Sequence, residues 1–295
     1  MKNTIMYYYD FDNPIIYKWN KRIYVKYNNE KYLFQPVYLE QELAEIYSLM
    51  NRNDQYYRII KNKFNSLITI YQGQKYVLLR LNEVRSGDYE REIFNHIYIP
   101  PTSKYTIDRS NWYFLWSKKN DYFEYQLSHI SGKYPLIDES IDYYIGLAET
   151  AISYIKYNSI DNTKNNYDDL TICHRRINKD SIFNPLNVVV DHKERDIAEY
   201  LKYLFFNREN TEDKIKYIIN NYKGNIFGYY RIYARLLYPS YYFDIYDGII
   251  NEQVSEEELR KIIERVNEYE QYLQKIFDIM YTKSGIKRVD WLQKK

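Results

Sequence analysis

The sequence predicts an α+β fold in two lobes, a small β-rich lobe followed by a larger helical one. Three observations carry that prediction. Two pairs of aromatic and β-branched runs flank one amphipathic segment before residue 82. From about residue 110 the apolar spacing changes to threes and fours. Between Leu81 and Asn111 stand loop and breaker signals, Arg85-Ser86-Gly87-Asp88 and Pro100-Pro101. The expected division is 1–95 for the first lobe and 96–295 for the second.

In the first lobe, Arg22-Ile23-Tyr24-Val25-Lys26-Tyr27 and Lys31-Tyr32-Leu33-Phe34-Gln35-Pro36-Val37 flank the polar turn Asn28-Asn29-Glu30, which reads as a hairpin. A helix follows, with Leu39, Leu43, Ile46, Tyr47 and Met50 on one face. A second hairpin joins 66–71 to 75–81 across Gln72-Gly73-Gln74. The second lobe opens with two helical stripes. One holds Trp112, Leu115, Trp116, Phe123, Leu127 and Ile130, the other Ile141, Ile145, Ala148, Ile152 and Ile155. An irregular and extended stretch at 170–191 precedes helices at 195–206, 211–222, 226–238 and 241–250. One long last helix is expected to open at Ser255, with Glu258 completing a capping box. Its apolar face includes Leu259, Ile262, Val266, Leu273, Phe277 and Met280.

Composition narrows the function classes. The chain has 42 basic and 40 acidic residues, a net charge of +2, so it lacks the cationic excess of a nucleic-acid binder. Its one cysteine, Cys173, rules out an internal disulfide and a zinc site built on thiolates, and suits a reducing compartment. The first ten residues hold no apolar signal core, and no run approaches the roughly 20 apolar residues of a spanning helix. The expectation is a soluble, intracellular protein without a membrane span. Tyrosine is abundant, at 39 residues against 8 glycines. Coding DNA rich in A and T explains that, and so does selection for an adhesive or cross-linkable surface; both readings stay open.

The most specific segment is Leu170-Thr171-Ile172-Cys173-His174-Arg175-Arg176-Ile177, then Phe183-Asn184-Pro185-Leu186-Asn187-Val188-Val189-Val190-Asp191, then Arg195-Asp196-Ile197-Ala198-Glu199-Tyr200-Leu201. It reads as a short strand, a loop, an apolar strand ending in an acid, and a helix. An Asp at the end of an apolar strand is costly unless solvated, paired or metal-bound.

This layout resembles the second lobe of aminoglycoside phosphotransferase and choline kinase-like proteins. In those a His-x-Asp loop with a downstream Asn precedes a strand ending in a metal-binding Asp. On that alignment His174 matches the loop histidine and Asp191 the metal aspartate, while Arg176 stands where the catalytic Asp belongs. The downstream Asn falls near Ser181, with Asn178 and Asn184 displaced from the spacing. A closer resemblance, spanning most of the chain, is to the spore-coat-associated kinase-like proteins of the YutH group, related to the CotS group. The residues that carry it are Cys173-His174-Arg175-Arg176, Asp191-His192, Arg195-Asp196-Ile197-Ala198-Glu199, and the run from Tyr233 to Phe243. The resemblance implies a bilobal protein kinase-like, aminoglycoside phosphotransferase-like fold and a role at the bacterial spore coat.

Phosphoryl transfer needs a cover for the phosphates, a cation to hold them, metal ligands and a group that orients the nucleophile. No glycine precedes Gly73, so no glycine-rich cover is available. Lys31 lies at the start of its strand, and Gln35 and Pro36 fill the far end. Lys26 is the substitute cation for a nucleotide, with Glu42 or Glu45 as its partner. Arg176 stays charged and cannot accept a proton. Arg175 and Arg176 are expected to pair with Asp191 or Asp196, or else to grip an anion. Asp191 is a candidate magnesium ligand or an ion-pair partner. Asp196 is a cap or an ion-pair partner, His174 a packed loop histidine or a base, and Cys173 a small buried hydrophobe.

The expected function is a catalytically silent, pseudokinase-type scaffold of the spore coat. It would meet other coat proteins, starting in the mother-cell cytoplasm, and need no cofactor. Two alternatives stand beside it: an atypical small-molecule or protein kinase using ATP and magnesium through Asp191, and a nucleotide- or anion-binding sensor without turnover.

Overall fold

The computed structural model describes residues 1–20, 22–51, 53–82, 92–99, 104–130, 132–158, 170–179 and 181–293. The expected breakers at 85–88 and 100–101 lie outside the described residues. The chain forms two compact units, neither continuous in sequence. One is Met1–Asn95 with Thr102–Asp108 and Ile172–Val190. The other is His96–Pro101, Arg109–Thr171 and Asp191–Lys295.

The first unit is an antiparallel sheet with two helices. It contains α1 (Lys2–Tyr9), β1 (Ile15–Trp19), β2 (Arg22–Tyr27), β3 (Glu30–Pro36), α2 (Glu40–Met50), β4 (Arg58–Ile60), β5 (Thr69–Tyr71) and β6 (Gln74–Arg80). The sheet order is β1-β2-β3-β6-β4, with β5 also on β6. Both predicted hairpins form, each on a tighter turn than expected. Tyr27 pairs with Glu30 across Asn28 (φ 47°) and Asn29 (φ 62°). Tyr71 pairs with Gln74 across Gln72 (φ 49°) and Gly73 (φ 76°). Positive φ at both central residues matches the strand twist, and Asn and Gly accept it most readily. The strand expected at 66–71 begins only at Thr69, because Asn62 Oδ1 accepts from the backbone of Phe64 and Ser66 and winds that segment into a turn.

Three elements of this unit escaped the sequence reading. α1 buries only Ile5 and Tyr9, one helical turn apart, against Val25, Tyr32, Phe34, Tyr76 and Leu78. β1 is an edge strand with a mostly exposed pattern, so no buried alternation marks it. β4 has three residues, too few for a period.

The second unit is helical. It has α3 (Trp112–Ile130), α4 (Pro135–Tyr157), α5 (Glu194–Phe206), α6 (Glu212–Asn221), α7 (Ile226–Leu237), α8 (Ser240–Ile250), α9 (Arg260–Ile263) and α10 (Val266–Ser284). α5 and α4 both pack on α7, which is buried without a break from Gly228 to Leu237. A helix buried all round lies at a core centre rather than on a surface. The long last helix is not continuous. Ser255 accepts from Glu257 N and opens a 3-10 turn (Glu256–Leu259), then α9 and α10 follow with a break at Glu264 and Arg265. The capping box with Glu258 is therefore corrected to a cap on Glu257. No helix among the described residues is long and apolar enough to cross a membrane. β7 (Ile97–Tyr98) also lies in the second unit, whereas β8 (Leu170–His174) and β9 (Val188–His192), which pair with each other, lie mostly in the first.

Candidate functional site

In the first unit β8 delivers His174 and the loop that follows. His174 is buried, and its ring lies parallel to that of Tyr56. Its Nε2 stands 2.8 Å from the Ile182 carbonyl and 3.0 Å from the Tyr56 hydroxyl. A carbonyl only accepts, so Nε2 carries the proton and donates. At that atom the histidine closes the loop onto Ile182 and meets Tyr56 rather than offering a lone pair.

The two arginines turn in different directions. Arg175 donates through Nη2 to Glu42 of α2, whose side chain is 3 % exposed. Its backbone N–H donates to Asn187 O at 2.7 Å. Arg176 folds its guanidinium back onto the Arg175 carbonyl at 2.6 Å. Asn187 closes the loop, donating from Nδ2 to Arg176 O at 2.7 Å and accepting from Arg176 N at 3.3 Å. At the turn before β9, Asn184 accepts from Leu186 N and donates to the Gln35 side chain of β3 at 2.7 Å. A cavity of about 440 Å³ opens beside this bond, lined by Arg22, Leu33, Gln35, Ser181, Leu186 and Asn187 among others. The β1–β2 turn, whose following strand reaches the cavity through Arg22, joins Trp19 to Arg22 over two residues and holds no glycine.

Asp191 belongs to the second unit and is fully buried. Trp112 Nε1 donates to both of its oxygens, at 2.9 and 3.0 Å. Arg195 Nη1 donates to Oδ2 at 2.6 Å, and His192 N to Oδ1 at 2.7 Å. These four contacts take up the roughly four acceptor positions of a carboxylate. Burial pushes the Asp191 carboxyl above its ordinary value, while Arg195, Arg235 and Trp112 pull it back. Arg235 lies over the Trp112 ring, 5.1 Å from guanidinium to centroid, and donates to Glu199 at 2.9 Å. Lys202 donates to Tyr238 O and Ser240 Oγ. Glu194 accepts from Tyr222 and lies 3.7 Å from Arg231. The buried acids Glu194 and Glu199 of α5 are thus matched by Arg231 and Arg235 of α7. His192 sits beside this network, held well below the usual imidazole range by burial and by Arg231.

The other expected residues are placed as follows. Lys26 is exposed on β2, opposite Ile15 and Lys31. Glu45 accepts from Thr106 N at 2.8 Å, from its hydroxyl, and from Ile107 N at 3.2 Å, so it anchors a loop. Glu42 holds Arg175 rather than a strand lysine. Asp196 is buried in the third position of α5, whose cap is Lys193, so the cap reading is corrected to a first-turn acid. Cys173 is buried and free of any disulfide. Two of the four expected ion-pair residues have partners the sequence did not suggest, Glu42 for Arg175 and Arg195 for Asp191.

A magnesium ion does not fit Asp191 as it stands. A metal there would have to displace Arg195 and Trp112, and among the described residues no three His, Cys, Asp or Glu side chains cluster to hold one. Sequence reasoning also missed Asn187. Counting back from Asp191 finds it directly before the apolar strand, the order of the phosphotransferase pattern; counting forward from His174 does not. Trp112, 79 residues from Asp191, left no local signal.

The family described as spore coat putative kinase YutH matches residues 2–276. The chain is 29 % identical to the endospore coat-associated protein YutH of Bacillus subtilis (strain 168), over 90 % of each chain. Among solved structures, the AMP-bound complex of spectinomycin phosphotransferase matches with a TM-score of 0.61 at 14 % identity, covering 94 % of this chain and 96 % of that one. An aminoglycoside phosphotransferase from Alicyclobacillus acidocaldarius gives 0.58 at 9 % identity, over 92 % and 93 %. Choline kinase LicA from Streptococcus pneumoniae gives 0.51 at 12 % identity, over 91 % and 94 %. At these identities the likeness shows the fold, a bilobal protein kinase-like one.

Proposed function

The chain belongs to the spore coat YutH family of putative kinases, and from that premise we propose a catalytically silent member that serves the spore coat as a scaffold or assembly factor. One observation carries the reading. The aspartate in the metal position, Asp191, is sealed among Trp112, Arg195 and the backbone N–H of His192. Arg176 in the place of the catalytic Asp supports it, since a guanidinium cannot take a proton from a nucleophile. The two-residue β1–β2 turn adds that nothing resembling a glycine-rich cover follows β1. On this reading the protein is made in the mother cell and meets other coat proteins there.

A sensor that binds an anion or nucleotide without turnover is the second reading. The cavity beside Gln35 and Asn184, with Arg22 in its wall, favours it. Thermal unfolding with ATP and magnesium, followed alongside phosphate release, separates the readings. The scaffold predicts neither shift nor release, and the sensor predicts a shift alone. Release abolished by Asp191→Ala would replace both with an active kinase. The single change Arg176→Asp is expected to produce no phosphoryl transfer, because the cover and an open metal ligand are still missing. Transfer above the no-enzyme rate by that variant would count against silence. Imaging a tagged copy in sporulating Bacillus cells tests the coat role, and a signal that stays diffuse after coat deposition would remove it.

A further inference from the structure

The outermost strand of the first unit has no partner on its far side among the described residues, since β1 ends the strand path. Trp19 and Arg22 close the two-residue turn, so Tyr17 and Ile15 face β2 with their backbone groups. The N–H and C=O groups of Ile16 and Lys18 therefore point away from the sheet. Ile15, Tyr17 and Trp19 share one face and are 63 %, 40 % and 60 % exposed. Tyr24 stacks beneath Tyr17 at 5.4 Å and stiffens this aromatic ladder. Native edges are normally shortened, covered, bulged or charged, and among the described residues this edge carries only the last device, in Lys18, which repels a basic strand and leaves the backbone groups open to an acidic one. Residues 15–27 also carry Lys18, Lys21, Arg22 and Lys26 and no carboxylate, although the whole chain is almost neutral at +2.

We propose that β1 receives an added strand: an extended, acidic segment of another protein pairs with the Ile16–Lys18 edge, sets apolar side chains on Ile15, Tyr17 and Trp19, and places carboxylates near Lys18, Arg22 and Lys26. Strand addition satisfies the outward backbone groups, and alternating side chains supply selectivity. A nucleic acid would use the cations and rings but leave those backbone groups unpaired. A second copy of this chain would set its own Lys18, Arg22 and Lys26 against the same charges. The acidic strand is the occupant that answers all three features. This gives the scaffold reading a concrete contact, and it rests on that reading only for its biological setting.

The test uses the full chain without ATP, so its outcome is independent of whether the protein turns over. The probe is a capped, dye-labelled peptide alternating glutamate with valine and tyrosine, titrated by fluorescence anisotropy. Its counterparts are the same peptide with lysine for glutamate and a labelled oligo-dT. Binding of the acidic peptide alone is expected, weakening as salt rises. Lys18→Pro removes an outward N–H without touching the β1–β2 bonds, and is expected to weaken binding about tenfold. Lys18→Gln removes only the charge and is expected to cost about threefold. Trp19→Ala, at an exposed position, keeps the melting temperature and also weakens binding. The idea fails if the acidic peptide does not bind or if Lys18→Pro binds no worse than Lys18→Gln. It fails equally if oligo-dT alone binds, or if sedimentation shows a dimer that Lys18→Pro dissociates.

Discussion

Asp191→Ala is expected to lower the free energy of unfolding by about 3–5 kcal/mol, the usual cost of removing one partner from a buried ion pair. Arg195 is 7 % exposed at its side chain and would lose its carboxylate, and Trp112 Nε1 would lose both of its acceptors. Asp191→Asn keeps an oxygen for Trp112 and deletes the charge, so a smaller loss of roughly 1–3 kcal/mol follows. Urea unfolding at neutral pH reads both values. A working metal ligand would behave differently, because carboxylates gathered around a missing ion repel one another and gain stability when one is removed. An alanine variant as stable as the parent, or more stable, would show that Asp191 is not the structural anchor described above.

Raising the pH is expected to unfold the protein cooperatively between about pH 10 and 12. Burial pushes the Tyr9 phenol up to about 12 and raises Tyr144, Tyr154, Tyr233 and Tyr272 as well. The sign follows from which state holds the proton. Below pH 10 both states are protonated and stability is intact. Above it the unfolded phenols ionise while the folded ones cannot, so stability falls until the folded value is reached. For Tyr9 alone the shift of about two units corresponds to roughly 2.7 kcal/mol. A few such phenols match the 5–15 kcal/mol that holds a typical domain. Phenolate absorbance should therefore climb steeply together with loss of near-ultraviolet circular dichroism. A gradual phenolate titration with the fold retained at pH 12 would show that these rings reach water in the native state. The many tyrosines then have one use already, as core material, whatever set their number at 39.

The local elements were legible because their signals lie within a few residues. Asn28-Asn29 fixes a hairpin turn, Leu43, Ile46 and Met50 fix a helix face, and the apolar run 188–190 fixes a buried strand before Asp191. Backbone geometry imposes those periods on the chain wherever it sits. The arginine loop and the aspartate closing the apolar strand could be read for the same reason, as a short order of residue types. Elements that depend on what packs against them were not legible: α1 holds to the sheet by Ile5 and Tyr9, and β1 shows water most of its side chains.

The sequence by itself determined the α+β class, the order of a strand-rich part before a helical one, and Arg176 in the place where the phosphotransferases it resembles carry an acid. Tertiary structure alone decided the distant partners of the buried charges. Arg175 meets Glu42, 133 positions away, and Asp191 meets Trp112, 79 positions away. The physical reason is that a buried charge must be neutralised by whatever group the packing brings within hydrogen-bond distance. Chain spacing does not encode such neighbours, so at position 191 Arg195 lies within reach along the chain, while Trp112 could only be brought there by the fold.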